Sequence, residues 1–469
     1  MAHRMRALLT ATVIIAALAG SAAAQTDEQR NSCADDNAAP DKKISACTAV
    51  IDAARTTPEA RVAALKQRAK GFEERGEQDR ALADYSAALK LDPKDLLALN
   101  NRGFIHFKAG RFDEAISDYT KAIEVDPNHA ILFVNRGTAY LQHGHNDRAI
   151  ADFTEALRRE PKHAVALSNR GVAYSNKDDY DHAIADFTAS IGIDASDAGD
   201  FVLRGLAYMN KGDYDKAIAD NNEALRLNPK NIKALNNRGL AYNYKGEYDR
   251  ALADFNEALA LDPNFAVAFS NRSLAYNNKK NYDRAIADAT KAIGFNAKDA
   301  EALNNRGLAY YNKGDYDRAL ADYDAAIQLQ PNSAIMFHNR GSLQLKKRNF
   351  DAVIADTTKA IELNPKDGLS HNDRGIAYHN KRDYEHALTD FSAALTLQPD
   401  NPVIINNRAY SYYKSGEYGK SAADYTALIK LKPRDQDAYF NRANARFMNK
   451  EFVGAATDLV QYLRLYLGM

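Results

Sequence analysis

Apolar residues fall at helical spacing in two blocks, and the pair of blocks recurs along most of the chain. In residues 234–263, ALNNRGLAYNYKGEYDRALADFNEALALDP, the blocks break at Lys245-Gly246-Glu247. Gly246 is placed to take the left-handed conformation that closes a first helix, and Pro263 follows the second block, where a helix stops. The pattern predicts two antiparallel helices per repeat. Its phase is marked by an arginine at Arg68, Arg102, Arg136, Arg170, Arg204, Arg238, Arg272, Arg306, Arg340, Arg374, Arg408 and Arg442, every step being 34 residues. A fixed period of this size predicts an all-α solenoid, because single repeats cannot bury their apolar faces alone.

The residues at set offsets carry a resemblance. One copy reads Leu235, Gly239, Tyr242, Gly246, Tyr248, Ala251, Phe255, Ala258 and Pro263, and the proline recurs at Pro93, Pro127, Pro161, Pro229, Pro331, Pro365, Pro399 and Pro433. This resembles the tetratricopeptide repeat over residues 62–469, twelve copies of 34 residues in phase. The resemblance implies a right-handed α–α superhelix whose first helices line the concave face.

Two features depart from the family pattern. The position before the repeat glycine, commonly apolar in the family, is arginine in all twelve copies, and an aspartate stands sixteen residues later, from Asp84 to Asp458. An ion pair is expected, either between the two helices of a repeat or between neighbouring repeats; a matching Asp ladder would neutralise an Arg ladder offered to acidic ligands. The second departure is an alternation. Phe201, Phe269 and Phe337 occur in copies whose later aromatic is replaced by Asn221, Ala289 and Thr357, which reads as volume compensation in a shared core pocket.

The residue before the arginine is asparagine in nine copies: Asn101, Asn135, Asn169, Asn237, Asn271, Asn305, Asn339, Asn407 and Asn441. This is similar to the asparagine ladder on the inner surface of long tetratricopeptide superhelices. The resemblance implies carboxamides that grip the main chain of an extended peptide. The alternative is that each Asn bonds neighbouring helix backbone. By the same analogy Leu240, Leu274, Leu308, Tyr311, Tyr413 and Asn380 line that face, which favours a largely uncharged segment.

Charge adds exclusions. The 62 basic and 62 acidic residues leave no excess for holding nucleic acid by bulk charge. Residues 1–24 read as a signal peptide: Arg4 and Arg6, the apolar run Ala7 to Ala19, and small residues before a cleavage point after Ala24. A periplasmic or secreted protein is expected, with no membrane insertion once the segment is removed. Residues 25–61 read as a capping helical hairpin with Cys33 and Cys47 on opposite arms, and two cysteines in an exported chain favour a disulfide. His143-Gly144-His145 reads as a solvated turn rather than a metal site, for want of a third ligand.

Signal, cap and repeats account for the chain, so no catalytic residue, metal or cofactor is expected and a small-molecule substrate is disfavoured. The expected function is a non-catalytic scaffold that binds an extended peptide or protein segment in the concave face. The alternatives are an adaptor of an envelope assembly or polysaccharide export machine that uses its outer surface, or a repeat subunit working with a separate glycosyltransferase chain.

Overall fold

A computed structural model of the chain describes residues 29–53 and 56–467; the expected signal peptide, 1–24, lies outside the described residues. Every described element is a helix. A short helix α1 (29–34) and α2 (Pro40–Asp52) form the N-terminal hairpin. Regular hairpins follow, beginning with α3 (Pro58–Glu74) and α4 (Gln78–Leu91), then α5 (Leu96–Lys108) and α6 (Phe112–Val125). The first repeat helix starts at Pro58, ahead of the expected boundary at 62, because Thr57 caps it and Pro58 occupies its first turn. The array divides into two compact units between Pro229 and Lys230.

Each repeat is built by the same local chemistry. Asp95, Asp299, Asn401 and Asp435 cap first helices by accepting from backbone N–H groups. In the turn after the first helix, eight residues beyond the arginine, every repeat has a left-handed residue. It is glycine at Gly76, Gly110, Gly144, Gly212, Gly246, Gly314 and Gly416, but Asp178, Lys280, Arg348, Arg382 and Lys450 hold the same conformation. Inside the first helix, Gly239 lies so close to the Phe255 ring that an added Cβ would stand 2.8 Å from it. In the copy with Ala289 in the ring position, the glycine has become Ser273, whose hydroxyl donates to the Ala285 carbonyl at 2.8 Å. In the copies with Asn221 and Thr357 the glycine stays, as Gly205 and Gly341, so the serine answers the missing ring in one copy of three. Phe201, Phe269 and Phe337 instead lie beside the arginine of their own repeat, 5.3–5.6 Å from ring centre to guanidinium carbon.

Within each unit the first helices of successive repeats pack on one another as well as on their own second helices. Exposed pairs reinforce the register: Lys279 with Asp249, Lys313 with Asp283, Lys347 with Asp317. Each joins a first-helix end to the second helix of the preceding repeat.

Candidate functional site

The arginines fix the faces that any ligand meets. Each guanidinium makes a two-point fork with the aspartate of its own repeat. Arg306 donates from Nε to Asp322 Oδ2 at 2.8 Å and from Nη2 to Oδ1 at 2.7 Å; Arg170 and Asp186 do the same at 2.8 and 2.7 Å. The ion pair therefore spans the two helices of one repeat. The remaining nitrogen reaches into the preceding repeat: Arg102 Nη1 to Ser86, Arg136 to Thr120, Arg272 to Asn256, Arg340 to Asp324. The hydrogen bond to Asp322 holds the Arg306 guanidinium above its ordinary pKa against the opposing effect of burial. With both partners committed, the arginines are a weld between repeats rather than a ligand-facing ladder.

The asparagines sit one residue earlier, on the same first helices. Seven give an amide N–H to the preceding repeat. Asn135 donates to Asn100 Oδ1 at 2.9 Å, Asn271 to Asn236 at 2.9 Å, Asn339 to Asn304 at 2.9 Å and Asn407 to Asn372 at 3.0 Å. Asn169 donates to Thr138 and Asn305 to the Ser270 carbonyl, each at 3.2 Å. Asn101 donates to the Tyr85 hydroxyl at 3.1 Å, Asn237 accepts from Asn236 at 3.4 Å, and Asn441 is half-buried beside Asn406 and Phe440. A carboxamide has two donor hydrogens and one acceptor oxygen. An inter-repeat donation uses one hydrogen and leaves the rest of the group for other partners.

A second set of residues shares this face. Five positions before the arginine, hence four before the asparagine, stand Leu97, Ile131 and Val165 in the first unit and Val267, Ile335, Leu369 and Val403 in the second. All are exposed, Ile335 to 61%. Residues four apart on a helix lie on one face, so in six of these seven helices an exposed aliphatic side chain is followed by an amide. Leu369 is followed by Asp373, and the other five repeats carry Ala63, Gly199, Lys233, Glu301 and Asp437 at the aliphatic position. Leu240, Leu274 and Leu308, half-buried, continue the stripe three residues after the asparagine. The aliphatic members are legible as a 34-residue period, but a lone apolar residue at a helix start reads as core until its exposure is known.

The cap and the turn histidines complete the inventory. Cys33 and Cys47 are joined by a disulfide, with Cα atoms 4.7 Å apart. Lys43, fully buried, donates to the Asp36 carbonyl and to Glu74, each at 3.2 Å, and so ties the hairpin to α3. His143 and His145 stack edge to face at 4.8 Å. Among the described residues no group of three His, Cys, Asp or Glu is placed to hold a metal, and no helix is long and apolar enough to cross a membrane.

Comparison with known proteins agrees with this architecture. Residues 97–129, 232–265 and 300–333 match one tetratricopeptide repeat profile. Related profiles for the same repeat match 134–198 and 406–466, 72–110 and 205–243, 368–401, and 266–299. No curated protein matches the chain. Among solved structures, the Cut9–Hcn1 hetero-tetramer of the APC/C is similar at a TM-score of 0.50 and 15% identity, covering 91% of this chain and 90% of that one. A tetratricopeptide repeat protein from Parabacteroides merdae is 22% identical, with a TM-score of 0.46, over 53% of this chain and 98% of that one. YrrB, described as a TPR protein with an unusual peptide-binding site, is 26% identical, with a TM-score of 0.33, over 39% of this chain and 95% of that one. With its repeat geometry and these matches spread along most of its length, the chain belongs to the tetratricopeptide repeat family.

Proposed function

We propose that the protein is a non-catalytic scaffold that holds an extended, largely uncharged peptide or protein segment along its first helices. The observation that carries this reading is the stripe itself. Exposed aliphatic side chains at Leu97, Ile131 and Val165, and at Val267, Ile335 and Val403, alternate with carboxamides on one face of each unit, with Leu369 beside Asp373 the exception. Exposed apolar side chains also recur at second-helix ends, as at Leu91, Val125 and Phe295; what sets the first-helix row apart is the amide one turn along the same helix. The aliphatic positions offer contact area without charge, and the amides offer donors and acceptors to a peptide main chain. The half-buried Asn135, Asn169, Asn339 and Asn407 then act twice, pinning neighbouring repeats through one N–H and facing the ligand with the rest, while the buried Asn271 and Asn305 serve the first role alone.

The test separates these roles. Asn135, Asn339 and Asn407 are half-buried; their combined replacement by Ala removes both. A second variant, Val267→Ser with Ile335→Ser and Val403→Ser, removes only exposed contact area. Capture of a partner from extract should fall at least tenfold in the second variant with the unfolding midpoint unchanged, since each lost aliphatic contact is worth about 1 kcal/mol or more. Normal capture by the second variant would shift the site to the outer surface and favour an envelope adaptor. Export is part of the same proposal, resting on the leader-like residues 1–24, and N-terminal sequencing of protein from the periplasm should begin at Gln25.

A further inference from the structure

A cavity of about 670 Å³ lies at the N-terminal end of the first unit. Its apolar lining comes from Ala60, Ala63 and Ala64 of α3, Leu97 of α5, and Val50 and Cys33 of the cap. Two features of the repeat pattern explain why it is there. Ala63 is the first repeat's counterpart of Leu97, Ile131 and Val165, one period earlier each time. An alanine where the next three repeats carry a branched side chain turns the ridge of the stripe into a hollow. The far wall is α1, which no other repeat possesses, and the Cys33–Cys47 disulfide fastens it to α2.

The chemistry of the wall narrows the ligand. Lys66 is paired with Asp95 at 2.5 Å, and Lys70 with Asp36 at 2.8 Å. Gln67 also donates to Asp36, at 3.4 Å. These two lysines are already neutralised, and Arg30, the third cation on the lining, is engaged as well, so the wall offers little to an anionic group. The volume falls within the roughly 300–1,000 Å³ of small-ligand sites and exceeds what one aliphatic side chain needs. Gln67 and Asn101, the first two members of the amide row, stand on its lining, so the cavity continues the stripe.

We propose that this cavity is an anchor pocket for bulky, uncharged apolar side chains at one end of the extended peptide, with the disulfide holding its wall in place. The proposal rests on the first-helix reading above, but its test reads the pocket directly. The probe is Nile red, an uncharged apolar dye, titrated into the full oxidised chain, with a blocked hexapeptide of serine, leucine and phenylalanine as competitor. Ala63→Trp fills the hollow from an exposed position, and Leu97→Asp places a charge on its rim. Each should weaken dye binding about tenfold or more, whereas Glu124→Trp, on the surface of a second helix, should leave it unchanged. Cys33→Ser with Cys47→Ser should weaken it as well, because the wall is no longer pre-organised. The peptide should displace the dye.

Circular dichroism checks that each variant folds, and Leu97→Asp, at a half-exposed site, carries the test should Ala63→Trp disturb α3. Dye binding equal to the parent's in the folded pocket variants would overturn the assignment of the pocket. Dye lost on filling the pocket but never displaced by peptide would overturn its role as a peptide anchor. Neither result bears on capture by the Val267, Ile335 and Val403 positions of the second unit, so this proposal and the scaffold reading fail separately.

Discussion

At the scale of single residues, the repeated guanidinium does two jobs with one planar group. Its fork onto an aspartate closes the helical hairpin, and its third nitrogen reaches the preceding repeat. Arg306 and Asp322 show the arrangement with side chains 21% and 9% exposed. Replacing either by Ala strands a largely buried charge and should cost about 3 kcal/mol, the low end for breaking such a pair. The double variant should cost little more than one single, because contacting sites are not additive; unfolding midpoints of the four proteins measure this, and simple additivity would contradict it. A half-buried histidine gives a second expectation. His379 meets Ser411 through Nδ1 at 2.7 Å and lies between the rings of Tyr384 and Tyr410. Burial first, then Lys414, lowers its pKa below the ordinary 6.5. A base lowered in the fold leaves stability intact above the unfolded value and costs it as pH falls below. His379→Gln should therefore lose less stability than the parent between pH 7.5 and 5.5, measured by thermal unfolding, and the parent imidazole should titrate below 6.5 by NMR. The ion pair was legible because both partners recur on one period. The third contact was not, since its acceptor varies among Ser86, Thr120, Asn256 and Asp324, although it always stands two residues after the aspartate.

At the scale of elements, the turn between the two helices shows conformation overriding composition. Gly246 pointed to a left-handed residue, and every repeat has one, but Lys280 and Lys450 adopt it at φ 59° and 66° without being glycine. The period imposes the turn, and a side chain there is strained by roughly 1–2 kcal/mol. Lys280→Gly should consequently raise stability by up to about 1 kcal/mol, part of the relief being offset by the entropy of a freer unfolded chain. Gly314→Ala should lower it by a similar amount even though an added Cβ there meets nothing within 4 Å, because the cost is torsional rather than steric. Denaturant midpoints for the two variants test both signs. The helix pairs themselves were legible from apolar spacing and proline position. The serine's role was not: Ser273 replaces the repeat glycine only in the copy with Ala289, and its hydrogen bond to the second helix is visible only when the helices are docked.

At the scale of the whole molecule, the chain is two units of one repeat type, the first of which opens with a disulfide-bearing hairpin. The repeat count was legible from the arginine period alone. The division at Pro229–Lys230 was not, since the period runs through it unbroken. The candidate site was half legible: the asparagines announced a face, but only solvent exposure reveals that aliphatic side chains accompany them and that the amides are already partly engaged. The scaffold reading makes a claim about which surface meets the partner, and a photo-crosslinking map tests that most directly. A benzophenone amino acid is placed singly at Val165, Val267, Ile335 and Val403 on the first-helix stripe, and at Glu124, Glu257 and Lys291 on exposed second-helix surface, in protein expressed where it normally resides. The account predicts crosslinks to a partner from the stripe positions and none from the second-helix positions. Crosslinks confined to Glu124, Glu257 and Lys291 would contradict it.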